Sequence, residues 1–127
     1  MSLGPHLERA GLDRTTVARL VGPLDFERIV VSPAPAVMRR LWLGPVAAMT
    51  LGRRIFLGED KHSPTEFRRL LVHELVHVRQ WRQAGATGFV RRYIGDYLRG
   101  RLGGSGHEDA YRNIRYEAEA RRISQMV

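Results

Sequence analysis

Apolar residues return at helical spacing through the middle of the chain. Leucines, valines and Trp81 follow one another at intervals of three and four from about residue 64 to residue 84, where Gly85 supplies a C-terminal stop. The segment "SPTE" at 63–66 opens this stretch with Ser63 as N-cap, Pro64 at the first helical position and Glu66 at N3, which together make a capping box. The predicted helix is apolar over most of its circumference, as expected of one buried at the centre of a domain. A second helix is expected over about 87–101. There Phe89, Tyr93 and Tyr97 recur every four residues beside Val90, Ile94 and Leu98, a stripe read first as core packing. After "GGSG" at 103–106 a last helical stretch runs from His107, with a break expected near Asn113.

Upstream the elements are shorter. Residues 5–21 read as a helical region, and "ERIVV" at 27–31 reads as a strand ended by "SPAP". The segments "VAAMT" and "RRIFLG", separated by Leu51-Gly52, read as a small hairpin or two short strands. The predicted class is α+β: a small antiparallel sheet packed on helices, with the 64–84 helix in the middle. At 127 residues the chain fits one domain, 1–127, with one modest core.

Composition narrows the chemistry. No cysteine is present, so any metal must be held by nitrogen and oxygen. The formal charge of +8 is carried almost wholly by arginine, with Lys61 the one lysine. Such a charge can attract nucleic acid. The arginine pairs, however, are spread from Arg39-Arg40 to Arg121-Arg122 and not clustered, which favours a generally basic surface over a nucleic-acid partner. The opening "MSLGPHLERAGLDR" has no apolar signal region, and "LWLGPVAAMTLG" at 41–52 is too short to span a bilayer and is broken at Gly44-Pro45. A cytoplasmic protein without a membrane span is the default expectation.

Within the central helix lies "VHELVHVRQW", residues 72–81. Residues four apart on a helix lie about 40° apart around the axis, with Cβ atoms about 5–6 Å from each other. His73 and His77 can therefore share one zinc ion. Glu74, about 100° round from His73, is placed to reach a zinc-activated water as general base and to pass its proton to a leaving group. Two histidines hydrogen-bonded inside a core are the competing reading; the caps and the apolar setting favour metal. A catalytic site of this kind needs a third protein ligand. Spacing leaves His107, Glu108, Asp109, Glu117 and Glu119 open. His107 follows the "GGSG" stretch, a poor support; Glu117 borders the face formed by Tyr116, Ala120 and Ile123, and Glu119 points largely away. An ordinary surface pair between Glu117 and Arg121 is the bland alternative. Tyr111, Tyr116 and His107 are candidates for stabilising an oxyanion, with packing the readier role for both tyrosines.

The segments "AMTLGRRIFLGE", "RLLVHELVHVRQW" and "YRNIRYEAEA", in this order, resemble the gluzincins. These are zincin-like zinc metallopeptidases with an HExxH helix and a glutamate ligand on a later helix, here nearest the compact minigluzincin type and the bacterial metallopeptidase domains associated with toxins. The resemblance implies one zinc ion on His73, His77 and Glu117, with Glu74 as base, acting on a peptide or protein substrate. It also implies that the strand around 53–58 lines the cleft and can pair with an extended substrate. Membrane-bound relatives often carry E-x-x-A-D, the aspartate buttressing a histidine; this chain reads Glu117-Ala118-Glu119-Ala120-Arg121, so another group must serve. The alternatives are a zinc-binding module with little or no turnover, and a protease acting on nucleic-acid-bound proteins.

Overall fold

The structure is a computed structural model that describes residues 2–41, 48–58 and 62–127. In chain order it contains helices α1 (Gly4–Ala10) and α2 (Arg14–Val21), a 3-10 turn at Phe26–Arg28, strand β1 (Val30–Pro33) and helix α3 (Ala36–Leu41). Strands β2 (Ala48–Leu51) and β3 (Arg54–Leu57) follow, then helices α4 (Pro64–Leu102), α5 (His107–Arg112) and α6 (Arg115–Ser124). The class is α+β, with a three-stranded sheet packed against a long helix. Val46 and Ala47, expected in the hairpin's first strand, lie outside the described residues.

The helical region expected over 5–21 is two helices. Gly11 takes φ 69°, a left-handed conformation that ends α1, and Asp13 then starts α2 by accepting from the Thr16 N–H at 2.7 Å. The sheet also differs from expectation. Strand β2 pairs antiparallel with β3, as a hairpin should, but β1 pairs parallel with β3, Val31 opposite Ile55. Its order is β1-β3-β2, mixed and not antiparallel. A long connection through α3 separates β1 from the hairpin, which frees it from the antiparallel geometry that a tight turn imposes. Strand β1 begins at Val30 and not at Glu27, because Phe26–Arg28 closes a 3-10 turn.

Ser63 caps α4 as the capping box requires, its Oγ accepting from the Glu66 N–H at 3.2 Å. Leu71, Val72, Leu75 and Val76 are fully buried, packed among α1, α2, the sheet and α6. The two helices predicted around Gly85 are one long segment kinked there, since Gly85 alone leaves helical geometry at φ 76°, ψ 161°. Beyond the kink only Phe89 and Asp96 are buried. The apolar stripe is therefore not core throughout: Val90, Ile94 and Leu98 are exposed. The break near Asn113 appears as expected, between α5 and α6.

Asp96 fixes where α6 begins. Its buried carboxylate accepts from the Arg115 backbone N–H at 3.1 Å and from the Arg115 guanidinium at 3.0 Å through each oxygen. It thus satisfies an orphan donor at the N-terminus of α6 from a different helix. Those hydrogen bonds hold the Asp96 carboxyl below its ordinary pKa. Glu117 stands two residues further on. Among the described residues no helix is long and apolar enough to cross a membrane.

Candidate metal centre

Three side chains from two helices converge beneath the sheet edge. His73 and His77 project from α4 one turn apart, their ring centroids 4.9 Å apart and nearly perpendicular. Glu117 reaches them from α6: its Oε1 lies 3.0 Å from His73 Nε2 and 3.2 Å from His77 Nε2, and its Oε2 lies 3.1 Å from His77 Nε2. Among the described residues this trio is the group that could hold a metal ion, its donor atoms all within 4.8 Å of one another. The spacing suits one: donors about 2.0–2.1 Å from a tetrahedral zinc sit about 3.3 Å from each other. Two nitrogens and one carboxylate oxygen are also a donor set that zinc accepts. The site is open on one side, with the side chain of His73 24% exposed against 7% for His77 and 6% for Glu117.

Electrostatics ties the three together. Burial pushes the Glu117 carboxyl up, but the two histidines outweigh it and hold it well below the usual range. Burial likewise opposes a charged His77, and the hydrogen bond and charge of Glu117 reverse that, raising its pKa above the ordinary value. Tyr93 completes the setting by donating its hydroxyl to Glu117 Oε2 at 2.8 Å. Its place in an aromatic stripe concealed this. The available signal was that a phenol in a half-buried position needs a partner.

Glu74 stands apart from the trio, as its position on the helix predicts. It is 4% exposed, and its Oε2 accepts from Thr50 Oγ1 at 2.6 Å. Burial is the main cause that raises its pKa, offset in part by His77, His73 and Thr50. Thr50 was not singled out in the sequence, because nothing local links β2 to a residue 24 positions later.

An open cleft of about 1180 Å³ lies over these groups. Met49 and Leu51 of β2 form part of one wall, and Phe89, Val90 and Ile94 from beyond the α4 kink form part of another. The strand around 53–58, expected to line the cleft, does not. It corresponds to β3, which is hydrogen-bonded on both sides, whereas β2 is the edge strand that lines the cleft. Of the oxyanion candidates, Tyr111 and His107 line the cleft, while Tyr116 stacks on Phe89 at 4.7 Å and packs. Burial, and then the Glu117 charge, raise the Tyr111 pKa, so its hydroxyl stays protonated.

The remaining candidates for third ligand fall outside the trio. His107 Nδ1 pairs with the Tyr97 hydroxyl at 2.7 Å. Glu108 lines the cleft, and Asp109 is exposed. Glu119 faces away from the trio and, though partly exposed, meets Arg79 and Gln80. The alternative partner for Glu117, Arg121, donates instead to the Arg112 carbonyl. Where the aspartate buttress is missing from the sequence, Gln80 meets the inner histidine, its Oε1 2.7 Å from His77 Nδ1.

Fold and site together define an α+β domain with a two-histidine, one-glutamate cluster, able to hold a metal ion at the foot of an open cleft. Residues 13–85 match the eCIS core domain, and since that is more than half of the chain, it belongs to this family of metallopeptidase-like domains. The match takes in Thr50, His73, Glu74, His77 and Gln80 and ends before Glu117. No curated protein and no solved structure matches the chain.

Proposed function

We propose that the chain is a zinc-dependent metallopeptidase of the gluzincin type, with His73, His77 and Glu117 as ligands and Glu74 as general base. One observation carries this reading. The three donors lie within 4.8 Å of one another, while the adjacent carboxylate, Glu74, stands outside the cluster and accepts from Thr50. A purely structural metal site has no use for that separate buried carboxylate beside an open cleft.

Zinc in this site would supply a Lewis acid and lower the pKa of water at neutral pH. The chain's own groups do the rest. Thr50 occupies Oε2 of Glu74, which leaves Oε1 free, among the described residues, to take a proton from water in the cleft. A carboxylate whose pKa is raised by burial holds that proton more readily and can return it to the departing amine. Tyr111 offers a protonated hydroxyl from the cleft wall to the carbonyl oxygen of the substrate. The outer edge of β2 suits an extended peptide added as a further strand, with Met49, Leu51, Val90 and Ile94 receiving apolar side chains.

The test is a peptide-library cleavage assay on the purified protein, with and without chelator, beside Glu74→Gln. Cleavage should require metal. Glu74→Gln should keep its zinc and lose about 10²–10⁴-fold in rate, the usual share of a general base. Loss of zinc in that variant would make Glu74 a ligand and overturn the assignment.

A further inference from the structure

We propose that Gln80 and Glu119 form a relay that fixes the tautomer and orientation of His77, so that its Nε2 is presented bare to the metal. The proposal rests on the ligand set above and adds two residues to it. Gln80 lies one turn beyond His77 on α4 and is 2% exposed. A buried amide must find partners for both its ends.

Its nitrogen settles the orientation. Gln80 Nε2 donates to the Tyr116 carbonyl at 3.0 Å and to Glu119 Oε1 at 2.9 Å. Both partners are acceptors only, so a flipped amide would set oxygen against oxygen twice. The amide oxygen must therefore face His77, where it lies 2.7 Å from Nδ1. An amide oxygen cannot donate, so Nδ1 carries the hydrogen. Without metal, Nε2 can donate to Glu117; in the neutral imidazole that a metal requires, the hydrogen on Nδ1 leaves the lone pair on Nε2. Glu119 is itself held by an ion pair with Arg79. Helix α6 thus contributes twice: Glu117 joins the ligand cluster, while the Tyr116 carbonyl and Glu119 orient the amide that orients His77. Gln80 and Glu119 are positioning residues, since neither reaches the cleft floor itself.

The test measures zinc affinity by competition with a chromogenic chelator, together with the imidazole N–H signals of the zinc-loaded, ¹⁵N-labelled protein. The wild type should bind zinc and show His77 Nδ1–H as a resonance protected from exchange. Gln80→Met keeps the length and apolar packing of the side chain but cannot accept the hydrogen bond. It should lose about 10–100-fold in zinc affinity, the usual effect of removing a ligand's hydrogen-bond partner, and lose the protected resonance. Glu119→Ala removes one of two anchors at a half-exposed position, so it should fold normally, weaken zinc less than Gln80→Met, and reduce the protection. If Gln80→Met does not fold, Glu119→Ala carries the comparison. Zinc bound by the wild type but equally tightly by the variants, or bound through His77 Nδ1, would overturn the relay and leave the ligand set standing. No zinc binding by the wild type would overturn both.

Discussion

The two halves of α4 differ sharply on either side of Gly85. Before the kink, Leu71, Val72, Leu75 and Val76 are fully enclosed, and the histidines project from a helix with packing on nearly every side. After it, two residues are buried, Phe89 and Asp96, while Val90, Ile94 and Leu98 are exposed, the first two lining the cleft. Ligands held to a fraction of an ångström need the first kind of support. A wall that receives a substrate needs the second, an apolar surface left without an internal partner.

Truncation should expose the difference most plainly. Leu75→Ala empties a site in the enclosed half and should cost about 2–5 kcal/mol of unfolding free energy. Ile94→Ala, in the open half, should change stability by no more than about 0.5 kcal/mol. Denaturant unfolding of the two variants measures both. A cost for Ile94→Ala comparable with that for Leu75→Ala would mean that the second half is core after all. Under the proposed function, Ile94→Ala should instead raise KM for peptides with apolar side chains.

How much of this was readable from sequence follows the range of each interaction. The capping box Ser63-Pro64-Glu66, the stop at Gly85 and the shared face of His73 and His77 are matters of one or two helical turns, and the structure has them where spacing placed them. The parallel pairing of β1 was not readable, because it depends on how a long connection is routed and not on alternation. Glu117 was one of several downstream candidates by spacing, and the gluzincin resemblance singled it out. Thr50, Tyr93 and Gln80 were missed for a common reason: each meets its partner across 24 or more positions, Gln80 through its nitrogen's bonds to α6. Glu119 was half-read. It does point away from the His73, His77 and Glu117 cluster, yet into Gln80, so under the proposed function Glu119→Ala is expected to weaken zinc where spacing alone would have made it silent.

The electrostatic coupling in the enclosed half gives a pH signature. Glu117, with its pKa depressed, stabilises the metal-free fold above the ordinary value of 4.5, a contribution lost as pH falls through its folded pKa. His77, with its pKa raised, stabilises it fully below 6.5, and that contribution is lost as pH rises through its folded pKa. The metal-free pair is therefore most useful between those two values. Zinc needs unprotonated histidines, so its stabilisation runs the other way. The gap between melting temperatures with zinc and with chelator should widen as pH rises from about 5.5 to about 7.5. A gap that narrows over that range would disconnect the metal from the histidines.

The open half also displays Arg91, Arg92, Arg99 and Arg101. If these form a generally basic surface, duplex DNA should bind weakly and be released by about physiological salt. A filter-binding salt titration reads this, and a selective complex surviving there would give the second half of α4 a nucleic-acid partner.

The central claim is that α6 closes the metal site through Glu117, linking the enclosed half of α4 to the C-terminal helix. Zinc content and zinc-dependent melting of Glu117→Ala, measured beside His107→Ala, test it most directly. Glu117→Ala should lose most of its zinc and most of the stabilisation that added zinc confers, while His107→Ala keeps both. Zinc retained by Glu117→Ala and lost by His107→Ala would contradict the account and put a third histidine in place of the glutamate.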